Sequence, residues 1–523
     1  MSGLNFGDLL EAVAARIPDA PAIVHGDDVL DWWTFDAQAN RLARHLLAAG
    51  LTTGSRVAFY LRNGPAYPLL LAACFKARLV HVNVNYRYVG AELRYLIENS
   101  DAEAVVFDAE FENEAEQLRA ECAGVRLWLR NGPYGSDPFA SACAEGDATA
   151  LGIERSGDDL YFMYTGGTTG HPKGVMWPHA ARIQIIGMAD AGSAEAHADA
   201  VAARAARPVT IPACPMMHST GFTTAISTLV AGGTVVLLPS ARFDAEAMLA
   251  LIEQHAVTSI ALVGDAFGVP LLETLRERGS EFDLSSVSSI TSAGAMWSAP
   301  CKHELLTYFP KATLRDSLGS SEGSRLASAE LRAGEAGETA HFQLAAHARV
   351  FDAELREVVP GSGVPGRIAT RGAIPLGYHK DPERTAETFP IIDGERWSMP
   401  GDWCTVEADG SIRLLGRGSL CINTGGEKVW PEEVEEALKT FPGVRDAAVF
   451  GVPDPRWGQA VSAVLSAPED VSQDALRAHL GGVLARYKHP KTIRCVRASF
   501  RAANGKMDYS AAKALFEEGK EHE

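Results

Sequence analysis

The sequence predicts an α/β fold in which helices cover parallel sheets, with a small β-rich region and a separate α+β unit at the carboxyl end. Three observations support this prediction. Strand and helix patterns alternate between residues 22 and 107, as they do where crossover helices join parallel strands. Short strands separated by turn residues fill 364–409. A glycine-containing break at Gly416–Ser419 then precedes about a hundred residues, an ordinary domain size.

The amino-terminal alternation begins with a predicted helix at Phe6–Ile17, whose apolar residues recur at helical spacing. A strand at Ala22–His25 comes next. The second helix is expected to begin at Thr34 as its N-cap and to end at Leu47, with Gly50 closing it. The pattern then repeats, with strands at 56–61, 80–84 and 104–107 and helices at 68–76 and 91–100.

Length and composition indicate a folded chain of several units. At 523 residues the chain is too long for one core, and its length predicts roughly three or four domain-sized units. A hydrophobic content of 46% with 22% charged residues is typical of a folded protein. Two stretches lack a deep apolar stripe: 131–156 is predicted to be a surface connection, and 189–207 an exposed helix or insertion.

Charge and cysteine use argue against several classes of protein. The net charge of -18 argues against nucleic acid as a partner, because binding to a phosphate backbone needs clustered Lys and Arg. The eight cysteines form no C-x-x-C pair and no zinc spacing, and no secretion signal is visible at Met1–Leu10, so we expect a reducing, cytoplasmic location. The most apolar window, Ala225–Pro239, is interrupted by two glycines, so no transmembrane segment is predicted.

One loop, Tyr164–Gly174, carries groups suited to holding phosphate. It lies between two short apolar runs, which predicts a strand, a loop and a strand. Four glycines leave its backbone N–H groups uncovered, three threonines add hydroxyl donors, and Lys173 adds a positive charge. No Gly-Lys pair follows at the Walker A spacing, so the loop belongs to another type.

Three further loops each follow a strand-like run, at Pro215–Phe222, Ser292–Ala295 and Leu318–Glu322. Open α/β sheets bind their ligands at the carboxyl ends of strands. Several of these loops are therefore expected to converge on one site.

With these motifs in this order and spacing, the chain resembles the adenylate-forming (AMP-binding) enzymes, in the acyl-CoA synthetase and fatty-acid-CoA ligase branch. The resemblance runs from Phe6 to Lys506. It implies an adenylation domain at 1–415, a hinge at 416–420 with Ser419 at the hinge position, and a small mobile domain at 421–523. It also implies that ATP, Mg²⁺ and coenzyme A are bound, and that a carboxylic acid is converted first to acyl-AMP and then to acyl-CoA.

The resemblance assigns the nucleotide to a set of loop residues: Thr165, Gly166, Gly167, Thr168, Thr169, Gly170 and Lys173 for the phosphates, Gly294, Ala295, Leu318 and Gly319 for adenine, and Asp402 with Arg417 for ribose. Ser321 would contact the α-phosphate, and Glu322 and Thr165 would hold Mg²⁺. Lys506 resembles the catalytic lysine. A carboxylate and a triphosphate repel each other, so a cation must sit where the attacking oxygen meets the α-phosphorus.

The thiol step is assigned in the same way. His218 resembles the histidine that opens the path of the thiol, although a core histidine at a helix start is the competing interpretation. Gly425–Val429, which includes Gly426, would form the face of the small domain used in this step. Trp457 would lie against the nucleotide of coenzyme A, and a simply buried tryptophan competes with that role. A carrier-protein thiol is an alternative acceptor.

Three positions depart from the family pattern. Leu318 stands where an aromatic residue usually covers adenine, Pro400 replaces a threonine, and Ser419 replaces the common hinge residue. These departures leave open a nucleotide-binding regulator that does not catalyse, although the retained Lys506 and Glu322 argue against it.

A serine hydrolase is a further alternative. Gly319–Gly323 fits G-x-S-x-G with Ser321 as nucleophile, and Asp352 and His379 follow in the right chain order. The five-residue pattern is permissive, however, and we rank this function last.

The acid itself is less defined by the sequence. Relatives that activate amino acids place an aspartate near the helix that follows the Pro215 loop, and Ser219–Thr223 contains no acidic residue. An uncharged, apolar acid is therefore expected. The predicted pocket walls are Phe222, Val263, Phe267, Met296 and Ser320, with ordinary core positions as the competing interpretation. Whether the acid is fatty, aromatic or steroid-type, and whether the protein is a homodimer, is left open.

Overall fold

The computed structural model describes residues 3–132, 138–165, 171–187, 192–240, 242–294, 297–338, 341–417, 422–429, 431–467, 471–498, 500 and 509–518. The chain divides into two compact units. The first comprises Met1–Tyr86, Ile97–Tyr164 and Gly174–Gly416, and the second Arg87–Leu96, Thr165–Lys173 and Arg417–Glu523. The predicted α/β class, with a large amino-terminal part and a small carboxyl-terminal part, is confirmed. The exact domain and hinge bounds stay a prediction.

The helices carry the following bounds. They are Phe6–Arg16 (α1), Trp32–Ala48 (α2), Ala66–Lys76 (α3), Gly90–Asn99 (α4), Glu112–Arg119 (α5), Pro138–Ala144 (α6), His179–Ile185 (α7), Ala194–Ala202 (α8), Ser219–Val230 (α9), Ala245–His255 (α10), Gly264–Arg278 (α11), Ala299–Tyr308 (α12), Pro382–Thr388 (α13), Pro431–Lys439 (α14), Gln473–Gly481 (α15) and Tyr509–Glu518 (α16).

The strands carry the following bounds. They are Pro21–His25 (β1), Asp28–Asp31 (β2), Arg56–Tyr60 (β3), Val80–Asn83 (β4), Ala102–Asp108 (β5), Leu127–Asn131 (β6), Leu160–Thr165 (β7), Lys173–Pro178 (β8), Val209–Pro212 (β9), Thr234–Leu237 (β10), Ser259–Leu262 (β11), Ser289–Ala293 (β12), Thr313–Ser320 (β13), Ser324–Leu331 (β14), His341–Leu344 (β15), Ala348–Phe351 (β16), Gly366–Arg371 (β17), Gly377–Tyr378 (β18), Ile391–Ile392 (β19), Glu395–Ser398 (β20), Asp402–Val406 (β21), Ser411–Arg417 (β22), Ile422–Thr424 (β23), Glu427–Val429 (β24), Asp446–Asp454 (β25), Gly458–Ser466 (β26) and Thr492–Val496 (β27).

These strands form three sheets. The largest has the order β19-β20-β17-β21-β22-β15-β14-β13-β12-β11-β9-β10-β1-β2, with β16 beside β17. Its central strands, β10, β9, β11, β12 and β13, are parallel. A second sheet runs β18-β8-β7-β4-β3-β5-β6, and a third, in the second unit, runs β24-β23-β26-β25 with β27 beside β26. The parallel strands agree with the crossover pattern predicted from the sequence.

The two largest apolar cores described in the first unit lie against these sheets. One gathers the buried face of α1, α2 and α3 on the second sheet, and includes Phe6, Phe35, Phe59 and Phe75. The other packs α10, α11 and α12 on one face of the central parallel strands. Burial of an apolar side chain of this size contributes roughly 1.5–3 kcal/mol to folding, so these faces hold the helices in place.

Three local predictions are wrong. The N-cap of α2 is Asp31, whose carboxylate accepts a hydrogen bond from the backbone N–H of Thr34 at 2.7 Å. The segment predicted as an exposed helix or insertion does contain a helix, α8, but that helix is not exposed throughout: it buries Ala198 and Val201 in the core around α1. The predicted surface connection likewise contains α6, which buries Phe139.

No helix in the described part of the chain is both long enough and apolar enough to cross a membrane.

Candidate active site

The predicted strand, loop and strand around the phosphate loop are confirmed at both ends. β7 ends at Thr165, and β8 begins at Lys173, whose side chain is half-buried. The residues between them that were assigned to phosphate, Gly166, Gly167, Thr168, Thr169 and Gly170, lie outside the described residues. Their assignment stays a prediction.

Close packing explains why the loop ends in a glycine. A Cβ atom on Gly174 would lie 2.7 Å from the ring of Tyr164, a distance that real Cβ contacts do not reach. The Tyr164 hydroxyl donates a hydrogen bond to Asn99 Oδ1 at 2.7 Å, which fixes the ring. The backbone on the two sides of the phosphate loop is therefore held close by one fixed side chain.

Two asparagines position the loop that carries His218. Asn83, the last residue of β4, accepts from the Tyr164 N–H at 2.5 Å and donates to the Met217 carbonyl at 2.7 Å. Asn63, just beyond β3, donates to the Cys214 carbonyl at 3.0 Å and accepts from the backbone N–H of Met216 at 2.7 Å. The sequence analysis missed both. Their signal is a polar residue at the carboxyl end of a buried parallel strand.

His218 lies at the N-cap position of α9, but its side chain makes no capping hydrogen bond. Its backbone carbonyl accepts from the N–H of Phe222 at 2.9 Å, and its ring is half-buried. The ring is therefore placed at the start of α9 by the backbone rather than by the helix cap.

Glu322 lies in the tight turn between β13 and β14 and is almost fully buried. The Tyr378 hydroxyl donates to its Oε1 atom at 2.9 Å, and Ser398 donates to its carbonyl at 2.7 Å. The carbonyl of the neighbouring Ser321 accepts from the indole N–H of Trp177 at 2.8 Å. The turn is thus held from three directions, and Tyr378 is a positioning residue that the sequence analysis did not single out.

Glu322 suits a magnesium ion bound mainly through a substrate. Mg²⁺ sites on nucleotides commonly use one or two carboxylates, with phosphate oxygens and water completing the shell. Among the described residues no group of three His, Cys, Asp or Glu side chains is arranged to hold a metal ion alone. The donor set therefore fits a metal that arrives with a phosphate ligand.

The serine hydrolase alternative is wrong. A nucleophile elbow needs a strand followed by a helix, whereas β13 turns directly into the antiparallel β14. His379 hydrogen-bonds Asp101 through Nε2 at 3.1 Å, and Asp352 hydrogen-bonds Arg356. The side chains required for a triad are thus engaged elsewhere.

The remaining described nucleotide positions fall in strands or at strand ends, and all of them except Arg417 belong to the first unit. Asp402 opens β21 and is 6% exposed, and Gly294 follows β12 with a φ of 91° and is exposed. Leu318 packs on the core beside β14, and the register of the β13–β14 pair shifts between Leu318 and Gly319. Arg417 ends β22, and its side chain is not among those described. Ala295 lies outside the described residues.

Of the residues assigned to the thiol step, Gly425–Val429 and Trp457 belong to the second unit, on one hairpin and in the neighbouring turn between β25 and β26. Gly425 and Gly426 join β23 to β24 with φ values of 58° and 84°, the two-residue turn that requires positive φ at both positions. The half-buried Trp457 lies so close to Gly425 that a Cβ there would be 2.7 Å from its ring. Arg456 and Lys491 lie 4.7 and 5.5 Å from the centre of that ring. Ser419 and Lys506 lie outside the described residues.

The predicted acid-pocket residues divide between packed positions and a region outside the description. Phe222 is completely buried, with its ring 5.3 Å from that of His81 and 5.0 Å from that of Tyr161. Val263 packs with Cys214 in a small cluster, and Phe267 packs on its edge. The Ser320 hydroxyl accepts from the Gly323 N–H at 3.0 Å, and Met296 lies outside the described residues.

The sequence analysis missed a groove that lies beside α9. It has a volume of about 300 Å³ and runs between α9 and the strands β9, β11 and β12. Its lining includes Thr223, Thr224, Ser227, Ser259, Ala261 and Thr291. None of the four described residues of the predicted wall lines it. The signal in the sequence is the alternation of small polar and apolar residues in β11 and β12, since a parallel sheet covered on both faces is apolar throughout.

Two family models match the chain. The model described as AMP-binding enzyme matches residues 10–379, and the model described as AMP-binding enzyme C-terminal domain matches residues 433–506.

Several curated relatives are similar over nearly the whole chain. A medium/long-chain-fatty-acid--CoA/3-oxocholest-4-en-26-oate--CoA ligase of Mycobacterium marinum is 40% identical and covers 98% of this chain and 96% of its own. A 3-oxocholest-4-en-26-oate--CoA ligase of Rhodococcus rhodochrous is 36% identical over 98% and 95%. A feruloyl-CoA synthase of Amycolatopsis sp is 33% identical over 92% of each chain.

Solved structures share the fold. The amide bond synthetase McbA from Marinactinospora thermotolerans superposes with a TM-score of 0.81 at 25% identity, covering 98% of this chain and 100% of its own. A double mutant of o-succinylbenzoate CoA synthetase from Bacillus subtilis gives 0.79 at 24% identity, covering 97% and 98%.

Proposed function

The chain belongs to the AMP-binding enzyme family, and from that premise we propose which of its residues carry out the reaction. It is an acid–thiol ligase that uses ATP to convert a carboxylic acid to acyl-AMP and transfers the acyl group to coenzyme A. The observation that carries this function is the 40% identity, over 98% of the chain, to a fatty-acid-CoA ligase.

In the first half-reaction a carboxylate oxygen attacks the α-phosphorus, and the bond from that phosphorus to pyrophosphate breaks. The phosphate loop, Thr165 to Lys173, holds the leaving phosphates through N–H groups and one ammonium. A magnesium ion at Glu322 would neutralise charge on those phosphates. The hydrogen bond from Tyr378 supports this role, because it fixes one carboxylate oxygen and orients the other.

Lys506 supplies the cation at the reacting phosphorus in this proposal. Its ammonium would stabilise negative charge that is shared between the attacking and leaving oxygens in the transition state. Asp402 would accept hydrogen bonds from the ribose hydroxyls. Its burial at the start of β21 supports this role, because a buried carboxylate keeps a fixed orientation.

In the second half-reaction the sulfur of coenzyme A attacks the acyl carbonyl carbon, and the bond from that carbon to the AMP oxygen breaks. His218 would control access to the acyl group from the start of α9. Trp457, with Arg456 and Lys491 beside its ring, offers a flat surface and two cations for the nucleotide end of coenzyme A. That cluster supports the proposed role of Trp457 and Gly426.

We propose that the acid is apolar and carries either a medium or long alkyl chain or a ring system. The relatives are named for medium- and long-chain fatty acids, for 3-oxocholest-4-en-26-oate and for ferulate. No acidic residue lies in the first turn of α9, where an amine would need one.

The cellular location is proposed to be the cytoplasm. No disulfide joins the described cysteines, which supports a reducing compartment. The homodimer stays a prediction.

A screen of carboxylic acids tests the proposed function. AMP release is measured for fatty, aromatic and sterol-derived acids, with and without coenzyme A. We expect pyrophosphate exchange into ATP with a cognate acid alone, and steady AMP release together with a thioester when coenzyme A is added. AMP release that coenzyme A leaves unchanged for every acid would contradict the proposal.

A further inference from the structure

The side chain of Asn83 continues the pairing between two parallel strands. β4 and β7 are neighbours, with Val82 opposite Phe162, and β4 ends one residue later at Asn83. Beyond that point the Asn83 amide pairs with β7: its oxygen accepts from the Tyr164 N–H at 2.5 Å, and its nitrogen donates to the Tyr164 carbonyl at 3.0 Å. One side chain therefore holds both peptide groups of the residue that precedes the phosphate loop.

The same amide also holds a second part of the chain. Its nitrogen donates to the Met217 carbonyl at 2.7 Å, and Met217 directly precedes His218. Asn83 is 4% exposed, so water does not compete for these bonds. The Asn83 nitrogen thus fixes the carbonyl of two peptide links, one leading into Thr165 and the other into His218.

An amide suits this set of partners. A carboxylate at position 83 would place an oxygen against two carbonyl oxygens, and an apolar side chain would remove the partner of one N–H and two carbonyls. Buried peptide groups that lose a hydrogen bond bear the full cost of their desolvation. The segments that carry them therefore shift to find new partners.

Tyr164 links this hydrogen bonding to both ends of the phosphate loop. It precedes Thr165 in the chain, and its ring lies against Gly174, where an added Cβ would be 2.7 Å from the ring. The ring hydroxyl donates to Asn99 Oδ1 at 2.7 Å. A shift of the Tyr164 backbone therefore disturbs the residues at both ends of the loop.

We propose that Asn83 is a positioning residue for both half-reactions, because it holds Tyr164, at the start of the phosphate loop, and His218 in fixed relative positions. This inference rests on the proposed ligase function. It goes further, because it assigns one side chain to both steps and makes them dependent on each other.

Two measurements separate the half-reactions. The first is kcat/KM for ATP in pyrophosphate exchange with an acid that the protein activates, and the second is the rate at which supplied acyl-AMP is consumed with coenzyme A. Asn83→Ala should lower each by about tenfold, the effect of one buried peptide group left without its partner. Asn131→Ala is the control, since it removes an amide that bonds Asp108 at the end of β6 in the same sheet, and it should change neither.

Asn63→Ala separates the two connections that Asn83 makes. The Asn63 amide bonds Cys214 and Met216, in the loop that carries His218, and no described hydrogen bond joins it to Tyr164. This variant should therefore lower the thiol step and leave kcat/KM for ATP unchanged. Equal losses of kcat/KM for ATP in Asn63→Ala and Asn83→Ala would overturn the inference.

A double-mutant cycle shows whether Asn83 acts through His218. In a His218→Ala background, Asn83→Ala should lower the thiol step by no more than about twofold, because no imidazole remains to be positioned. A residue that merely supports the fold would cause the same tenfold loss in both backgrounds. Thermal unfolding checks that each variant is folded, and Asn83→Ser, whose hydroxyl can keep one bond, is used if the alanine variant does not fold.

The outcomes separate this inference from the proposed function. If the unsubstituted protein activates no acid, the ligase function fails and this inference fails with it. If acids are activated but the Asn83 variant keeps either rate, or loses the thiol step equally with and without His218, the inference is overturned while the function stands. An unchanged thiol step in His218→Ala would overturn it too, because Asn83 would have no group to act through.

Discussion

Two regions of the first unit are built differently: the strand ends and turns that carry proposed nucleotide residues, and the groove beside α9. In the first region, Glu322 lies in a tight turn and Asn83 ends a strand, and both are fixed by hydrogen bonds of 2.5–2.9 Å. In the groove beside α9, which lies along the face of a sheet, several hydroxyls make no hydrogen bond among the described residues. The polar groups of the first region are therefore fixed by the protein itself, whereas several hydroxyls of the second are not.

This difference teaches which polar groups the protein itself holds in place for the reaction. Fixed donors and acceptors stabilise a transition state without reorganising, which suits the part of the reaction common to every acid. Substitutions in the first region should therefore lower the rate for all acids alike, whereas removal of a groove hydroxyl that makes no described hydrogen bond should change the rate little.

Lys506→Ala should have the largest effect. We expect adenylation to fall by about 10²-fold or more, as when one transition-state donor is removed. Conversion of supplied acyl-AMP to acyl-CoA should persist, because that step does not involve pyrophosphate. Pyrophosphate exchange and acyl-AMP consumption measure the two steps separately. If both activities were unchanged in the variant, the role assigned to Lys506 would be wrong.

Gly174→Ala tests the packing at the end of the phosphate loop. Its Cβ would meet the Tyr164 ring at 2.7 Å, so we expect the free energy of unfolding to fall by about 1–3 kcal/mol and the KM for ATP to rise. Gly124→Ala is the control, since no atom lies within 4 Å of that Cβ. Equal stability of the two variants in thermal unfolding would mean that the contact with Tyr164 costs nothing.

Tyr378→Phe removes the hydrogen bond to Glu322 and keeps the ring. Supporting residues of this kind typically change metal affinity by at least about tenfold. The Mg²⁺ concentration at half-maximal activity should therefore rise by about that factor, with a smaller change in the rate at saturating Mg²⁺. Tyr308→Phe, at the half-buried last residue of α12, should leave the Mg²⁺ concentration at half-maximal activity unchanged. An unchanged titration in Tyr378→Phe would argue against Glu322 as a metal ligand.

His81→Gln tests the packing of α9 on the core, because the ring of Phe222, a residue of α9, stacks on the ring of His81. Burial lowers the pKa of His81 to about 3 from an ordinary value of 6.5. The folded protein therefore keeps His81 neutral where the unfolded chain binds a proton. Its contribution to stability is complete above pH 6.5 and is lost as the pH falls from 6.5 towards 3.

The expected size of that loss is about 1.4 kcal/mol per pH unit for one proton. In denaturant unfolding between pH 5.5 and 4.5, where the unfolded chain binds almost the whole proton, His81→Gln should lose less stability than the unsubstituted protein by about 1.3 kcal/mol. Parallel pH profiles of the two proteins would contradict a neutral His81. The His81→Gln substitution should leave the preference among acids unchanged, because His81 is completely buried in the core.

Much of the fold and of the nucleotide site could be predicted from the sequence, because chemistry restricts the residue types. A phosphate loop needs glycines and a cation, and parallel strands need apolar runs, so β7, β8 and most of the early helices and strands were expected. The walls of the acid pocket could not be predicted in this way. In the sequence, Phe222 fits a pocket wall and a core position equally well. The structure shows its ring packed on His81 and Tyr161, and its role as a pocket wall stays a prediction.

The groove was missed for a related reason. Its residues, such as Ser227 and Thr291, are individually ordinary, and their meaning depends on which face of the sheet α9 covers. Asn63 and Asn83 were missed because their partners are backbone carbonyls far away in the sequence. Long-range pairing of this kind leaves no local pattern.

The difference between the two regions is tested most directly by comparing Asn83→Ala with Ser227→Ala. The quantity measured is kcat/KM for ATP in pyrophosphate exchange with one acid that the unsubstituted protein activates. We predict that Asn83→Ala lowers it by about tenfold, because backbone groups lose their hydrogen-bond partner. Ser227→Ala should keep it within about twofold, because the Ser227 hydroxyl makes no hydrogen bond among the described residues. A loss in Ser227→Ala as large as that in Asn83→Ala would contradict the account.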